Sequence, residues 1–414
     1  MVNEKTRSSK DRLTPRESIA VSNEFLVTIN INIINWNIVN KKNVIIILID
    51  GGRLDRAQNS PVFNILKNKS AFFSSSITYA PHTIAAMHAV FSGTYGVRTG
   101  TNSYWSTYKF RKDKFKTITE YLKEQNYHTC SDIHSEIVIP KQGFDEFQIH
   151  DGEKDDLTLR HLELIEKTYA NNKNKNFFLY LQFSDIHTGI SNEVLKVYDN
   201  FSVEYFKNKS LNEKRYDELF KKSEFYLDKI FEKINSLGLE KNSIILVMSD
   251  HGISVGEKIG ERAYGAFCYD YTLRTFAYFF IPGFSSLEIT QQVRTVDFMP
   301  SILELLHIPL DKNYSELDGE SLLPLIQGQK VSEKIAYSET GNPLEEKKPP
   351  KTPNTKSVRT SKWKLIINEY NNSRELYDLE NDPDENNNLI DKNLEIQETL
   401  WKKFLEIQST KANN

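Results

Sequence analysis

The sequence predicts an α/β protein: a doubly wound, mostly parallel sheet flanked by helices, with a small C-terminal α+β subdomain. Three observations carry this. Residues 44–49 (VIIILI), Phe177–Phe183 (FFLYLQF) and Ser243–Met248 (SIILVM) are unbroken apolar runs, too short for helices and without alternation. Such runs read as strands buried on both faces, as in a parallel sheet. Helical segments lie between them, and strands alternating with helices give βαβ units. Each run also stops at ionisable residues: Asp50, then Ser184-Asp185-Ile186-His187, then Ser249-Asp250-His251-Gly252. In open α/β sheets, ligands bind beyond the carboxyl ends of the strands, so these residues are expected at the mouth of a site.

The 414 residues suffice for one large α/β domain and a smaller one. Lys+Arg 53 against Asp+Glu 56 gives a net charge of −3, so no global attraction to nucleic acid or anionic membrane is expected. The two cysteines, Cys130 and Cys268, lie far apart in no metal spacing, which argues against a disulfide framework and suits a reducing compartment. Residues 1–42 form an N-terminal extension whose charged, polar start is expected to be disordered. Its segment 25–40 (FLVTININIINWNIVN) is studded with asparagines and lacks the layout of a membrane span or a signal peptide. It reads as an alternating edge strand or an appended segment, and a cytoplasmic location with no membrane span follows. Nothing in the sequence signals an oligomeric state.

Taken in order, Asp50 precedes Gly51-Gly52, which turn the chain sharply. Arg53 opens the first helix, where it either clamps the strand-end carboxylates or faces solvent. A second helix covers 61–69, and residues 71–80 (AFFSSSITYA) read as a strand leading into Pro81-His82-Thr83. A helix then runs to Ser92-Gly93. Thr83 therefore stands where a loop becomes a helix N-terminus, a place that favours an anion, with plain capping as its other reading. Next come a helix over 117–126, a short strand over 127–131, a turn over 143–147 and a helix over 157–170. The strand ending at His187 follows, then a long charged helix over 215–237. Beyond Gly252, the glycine-punctuated loop 255–265 (VGEKIGERAYG) carries Lys258 and Arg262. A strand over 275–281 and a helix over 296–306 complete an α/β domain spanning 43–330. The subdomain 331–414 holds a Pro/Lys linker (342–355), paired strands over 363–370 and 375–379, and a closing helix over 393–407.

Asp50 and the Asp250-His251 pair, delivered at one edge by two central strands, look like the ligands of one divalent metal ion. For Asp50 taken alone, an ordinary strand-end turn is the competing reading. The mixed oxygen and nitrogen set suits Zn, Mn or Mg better than an all-oxygen Ca cage.

From about residue 43 to 389, these pieces in this order resemble the sulfatase branch of the alkaline phosphatase superfamily. The segments that carry the resemblance are NVIIILIDGGRLD, FSDIHTG, SDHG, VDFMPSILELLHIP, LDGESLLPLIQG, VRTSKWKLI and ELYDLENDPDENNNL. It implies an alkaline phosphatase-like fold with Asp50, Asp250 and His251 as metal ligands. The family's nucleophile lies ten residues before the glycine of a T-G or S-G pair, which from Gly93 is Thr83. FSDIHTG resembles the family's D-P-H-x-P segment, whose histidine faces the substrate oxygens. His187 would then hydrogen-bond the ester or protonate the leaving group, and His82, beside Thr83, is placed to enter the pocket. The implied activity is that of a metal-dependent hydrolase or transferase acting on an anionic phosphate ester, or else a sulfate ester.

Three departures from the pattern matter. Thr83-Ile84-Ala85-Ala86-Met87 stands in place of C/S-x-P-x-R, and a threonine cannot become formylglycine. A threonine nucleophile instead resembles the phosphodiesterase and phosphoglycerol-transferase relatives. Gly51 occupies a position where many sulfatases have another metal-binding Asp. The segment Tyr264-Gly265-Ala266-Phe267 offers no ligand where relatives have His or Lys, leaving Lys258 or Arg262 to supply positive charge. The presence of Asp50, Thr83, Asp250 and His251 favours the enzyme, while the empty Ala266 position supports the alternative of a non-catalytic member that binds an anion or a partner. His88, His128, His134, His150, His161 and His307 are expected to be structural.

Overall fold

The computed structural model describes residues 42–103, 106–341 and 350–412. The N-terminal extension up to residue 41 and part of the Pro/Lys linker, 342–349, lie outside the described residues. Among the described residues the central sheet has nine strands: β1 (Asn43–Ile49), β2 (Ala71–Ile77), β3 (His128–Ile133), β4 (Glu146–Ile149), β5 (Phe177–Phe183), β6 (Ser243–Met248), β7 (Arg274–Phe280), β8 (Leu287–Ile289) and β9 (Val293–Arg294). Their spatial order is β4-β3-β5-β1-β6-β7-β2-β8, with β9 against β2. β1 sits between β5 and β6, parallel to both, and β3 is parallel to β4 and β5. β7 is the exception, antiparallel to β6 and to β2. The doubly wound, mostly parallel sheet expected from the three apolar runs is present.

Every residue of β1, β5 and β6 is buried, and alternation assigns each side chain to one of two cores. Ile45, Ile47 and Ile49 pack with Leu164 of the helix Leu157–Asn171 and with Tyr226 and Ile230 of the helix Lys209–Ser236. Val44, Ile46 and Leu48 join Met87 and Phe91 of the helix Thr83–Ser92, Leu122 of Ile118–Glu124 and Phe298 of Phe298–Leu305. Burying each such side chain is worth about 1.5–3 kcal/mol, which explains why these runs carry no polar interruption except Gln182.

Three local differences from the sequence expectation have physical causes. The 71–80 strand ends at Ile77 because the next carbonyls pair elsewhere: Thr78 O accepts from Ser338 Oγ at 2.6 Å and Tyr79 O from Glu339 N at 3.0 Å. The short strand expected to stop at residue 131 continues to Ile133. The expected turn at 143–147 leads into edge strand β4, whose partly exposed residues give it no apolar run to read.

A second, antiparallel sheet follows in the order β10 (Ala336–Thr340), β11 (Thr355–Arg359), β12 (Trp363–Asn368) and β13 (Ser373–Asp378). The helix Leu394–Ala412 covers it through Leu400 and Phe404, which pack on Val358 and Leu365. Lys364 of β12 is wholly buried, yet its Nζ lies 2.8 Å from Asp270 Oδ1 and 2.8 Å from Glu385 Oε1. No helix among the described residues is long and apolar enough to cross a membrane.

Candidate active site

Asp50 closes β1, with its N–H donated to Phe183 O of β5 at 3.1 Å, and Asp250-His251 follow β6. Because β1 and β6 are parallel neighbours in register, both acids emerge at one edge. Asp50, Asp250 and His251 are all buried, and their ligand atoms lie within 4.8 Å of one another. His251 Nε2 is 3.7 Å from Asp50 Oδ1 and 3.5 Å from Asp250 Oδ2. The other ring nitrogen, Nδ1, is 2.8 Å from Gly252 O, so its N–H points to that carbonyl and leaves Nε2 facing the carboxylates.

The two carboxylates are incompletely compensated. Asp250 Oδ1 accepts the Gly51 N–H at 3.1 Å, but the buried Oδ2 has no hydrogen-bond partner among the described residues. Burial, reinforced by the Asp250 carboxylate, pushes Asp50 up to about 8. An orphaned carboxylate oxygen beside a second acid and an imidazole lone pair fits a divalent cation.

Thr83 begins the helix Thr83–Ser92, which ends where Gly93 adopts a φ of 61°. Thr83 Oγ1 lies 3.4 Å from Asp50 Oδ1 and 3.4 Å from His251 Nε2. His187, in the short helix Asp185–Ile190 after β5, places Nδ1 3.7 Å from Asp50 Oδ1 and 3.2 Å from Tyr264 Oη. Burial and the neighbouring His251 lower His187 to about 4. A cavity of about 280 Å³ opens over these groups, lined by Asp50, Thr83, His187, Gln182, His134 and Tyr264 together with Ile84, Ser135, Ile137 and Val138. His82 is buried at the residue preceding the helix, and burial with the charge of His251 lowers it to about 3; it is not among the cavity's lining residues.

Three basic residues expected near the substrate are elsewhere. Arg53 turns away from the cavity to pair with Asp55 at 2.9 Å and Glu257 at 2.5 Å, because those carboxylates and Ile253 O surround its guanidinium. Lys258 Nζ is held by Glu385 O and by Asn386 Oδ1, the latter at 3.2 Å, over the Tyr269 ring. Arg262 bonds Asn200 Oδ1 at 2.9 Å. Among the described residues, no lysine or arginine lines the cavity. At Gly51, φ is +75° and an added Cβ would come within 3.1 Å of Ile253, so the residue serves the turn rather than the ligand set.

Of the lining residues not expected in the site, His134 and Gln182 carry the most chemistry. His134 follows the end of β3, and its ring lies 5.3 Å from that of His187. Burial and the charge of His187 lower it to about 4. Applied to β3 at its true end, the strand-end rule that found Asp50 and His187 would have found it. Gln182 lay hidden inside an apolar run.

A family model described as Sulfatase matches residues 42–308, and one described as N-sulphoglucosamine sulphohydrolase, C-terminal, matches residues 265–410. Arylsulfatase K of Bos taurus is 29% identical over 196 residues, covering 44% of this chain and 34% of that protein. Arylsulfatase K of Canis lupus familiaris is 28% identical over 194 residues, with the same coverage. The chain thus spans about a third of the length of these curated relatives. Among solved structures, a putative sulfatase from Bacteroides thetaiotaomicron superposes with a TM-score of 0.71 at 19% identity, covering 89% of this chain and 93% of that one. A protein solved with its substrate D-glucosamine-2-N,6-O-disulfate gives 0.70 at 16% identity, covering 91% and 99%. The phosphonate monoester hydrolase of Agrobacterium radiobacter gives 0.69 at 13% identity, covering 90% and 96%. With the Sulfatase model matching well over half of its length, the chain belongs to the sulfatase family.

Proposed function

We propose that the chain is a metal-dependent ester hydrolase or transferase that acts on an anionic ester, phosphate ahead of sulfate, with Thr83 as the nucleophile. The observation that carries this reading is the place of Thr83 Oγ1, 3.4 Å from both Asp50 Oδ1 and His251 Nε2 on the wall of the cavity. Asp50, Asp250 and His251 would hold one divalent ion, with Zn, Mn or Mg suiting the mixed donors better than Ca. Such an ion lowers the pKa of a nearby hydroxyl and neutralises the non-bridging oxygens of an ester. Thr83 Oγ1 would bond to the central phosphorus as the ester oxygen leaves, and water or an acceptor alcohol would then release the group. The N-terminus of the helix Thr83–Ser92 adds partial positive charge on the same side. With its pKa lowered to about 4, His187 is neutral near pH 7 and serves as a hydrogen-bonding contact to the ester rather than as an acid.

Preference for phosphate rests on Thr83, which closes the formylglycine route to sulfate esters. The named relatives span both chemistries: one structure holds a disulfated glucosamine substrate and another is a phosphonate monoester hydrolase. A reducing, cytoplasmic setting is supported by Cys130 and Cys268, both buried and free. A second reading, a binding protein without turnover, is favoured by the lack of a lysine or arginine lining the cavity among the described residues.

The test is turnover of an aryl phosphodiester against an aryl sulfate in the presence of each divalent ion, with mass spectrometry of protein trapped at low pH. Phosphodiester turnover with a phosphoryl group on Thr83 is expected. Thr83→Ala should abolish activity and Thr83→Ser should keep part of it; Thr83 is the first residue of the helix, after the N-cap His82, so neither change removes a helix cap. Undiminished turnover by Thr83→Ala, or a phosphoryl group on another residue, overturns the assignment. Ion binding without turnover of either ester leaves the second reading.

A further inference from the structure

A second group of ligand-type side chains lies apart from the site above. Asp132 is on β3, His150 follows β4, and His161 is in the helix Leu157–Asn171. All three are buried, and one donor atom from each lies within 4.8 Å of the others. The sequence reading assigned both histidines structural roles. We infer that Asp132 Oδ1, His150 Nδ1 and His161 Nε2 form a second site for a divalent cation of the zinc class.

The argument rests on how the outer atoms of each side chain are held. His161 Nδ1 is 2.7 Å from Tyr226 Oη, while its buried Nε2 has no hydrogen-bond partner among the described residues. That Nε2 faces Asp132 Oδ1 at 3.7 Å, too far for a hydrogen bond. His150 Nε2 is 2.8 Å from Ser184 Oγ, and its Nδ1 is 2.6 Å from Asp132 Oδ1. Arg160 Nε holds the other Asp132 oxygen, Oδ2, at 2.5 Å, which leaves Oδ1 facing inward. Imidazoles that bind metals are oriented by a hydrogen bond from the second ring nitrogen, and both rings here have such a partner.

Binding needs one rearrangement. The proton between His150 Nδ1 and Asp132 Oδ1 leaves Nδ1 and reappears on Nε2, where Ser184 Oγ accepts the hydrogen bond; this is a tautomer change of a neutral ring and releases no net proton. The short His150–Asp132 contact then opens, since ligands at about 2.0–2.2 Å from a common ion cannot crowd each other so closely. Two imidazoles and one carboxylate select a zinc-class ion over Mg or Ca. A bound ion would join β3 to the helix Leu157–Asn171, so its binding would add to the stability of the fold.

The test separates this site from the proposed active site. An Asp50→Asn/Asp250→Asn double variant removes two of the three ligands at the active site. Purified from zinc-supplemented cells, it should retain one zinc per chain by elemental analysis. After chelation it should bind zinc in calorimetry with a rise in Tm. Adding His161→Gln should weaken zinc binding by more than ~10²-fold and remove the Tm response. If the His161→Gln protein does not fold, the titration of the double variant decides alone. No retained ion and no response to zinc in the double variant would overturn the inference and mark the cluster as a purely hydrogen-bonded one. Wild-type protein with zinc here but none at Asp50, Asp250 and His251 would instead count against the proposed active site.

Discussion

Gln182 Nε2 donates to Asp50 Oδ2 at 2.7 Å, and the same side chain accepts the backbone N–H of His134 through Oε1 at 3.0 Å. One amide in the middle of the sheet therefore fixes both a candidate metal ligand and the segment bearing a cavity histidine. Gln182→Leu keeps the volume but leaves two buried polar groups unpaired, at a cost of about 1–3 kcal/mol. We expect a lower Tm and a loss of divalent-ion affinity of about 10–100-fold. Calorimetric titration of the variant measures it, and wild-type affinity would show that Asp50 is held without Gln182.

His187 and His134 line the cavity without belonging to the Asp50–Asp250–His251 set. Replacing either by alanine should lower ester turnover by ~10²-fold, the usual effect of removing one hydrogen-bond donor from a reacting oxygen. Metal content should stay at the wild-type level. Elemental analysis beside the rate assay distinguishes this from ligation, because a histidine that binds the ion would lose both together.

Glu261 sits in the loop that carries Tyr264, where its carboxylate accepts the N–H groups of Ala266 at 2.7 Å and Phe267 at 3.1 Å and the Tyr271 hydroxyl at 2.6 Å. Burial pushes it up to about 7 from 4.5. Below pH 4.5 the folded and unfolded chains both hold the proton, so there is no difference. Between 4.5 and 7 the unfolded chain releases it more readily, and stability falls as pH rises; above 7 the full penalty, about 3 kcal/mol, remains. Glu261→Gln should remove this slope, so its Tm relative to wild type should climb from pH 4.5 to 7. Parallel Tm curves for the two proteins across that window would refute the assignment.

Legibility of the chain followed burial. β1, β5 and β6 are covered on both faces, so apart from Gln182 their interiors are apolar and their ends fall where ionisable residues begin. Asp50, His187, Asp250 and His251 are therefore legible as strand-end residues, and Thr83 only through the family spacing from Gly93; Asp50, Thr83 and His187 line one cavity, with Asp250 and His251 grouped against Asp50. β4 is four residues long and half exposed, so it carried no such pattern. Reading β3 as ending at residue 131 hid His134, since Ser131-Asp132 looks like a strand end although both are buried. Arg53, Lys258 and Arg262 were misplaced for another reason. Two of their partners, Glu257 and Glu385, lie far away in the chain, and Asn200 of the third also lies well outside any local pattern.

Lys364 has a consequence for how the molecule comes apart. Its ammonium is buried between Asp270, in the segment entering β7, and Glu385, beyond β13, while Arg359 of β11 reaches the same Asp270 at 2.7 Å. Peeling the smaller sheet away would strand these charges, and breaking a buried pair costs about 3–5 kcal/mol. The two sheets should accordingly unfold in a single cooperative transition. A protease nick between residues 341 and 350 should leave the C-terminal piece attached under native conditions, so that a chain cut in two on a denaturing gel still elutes as one body.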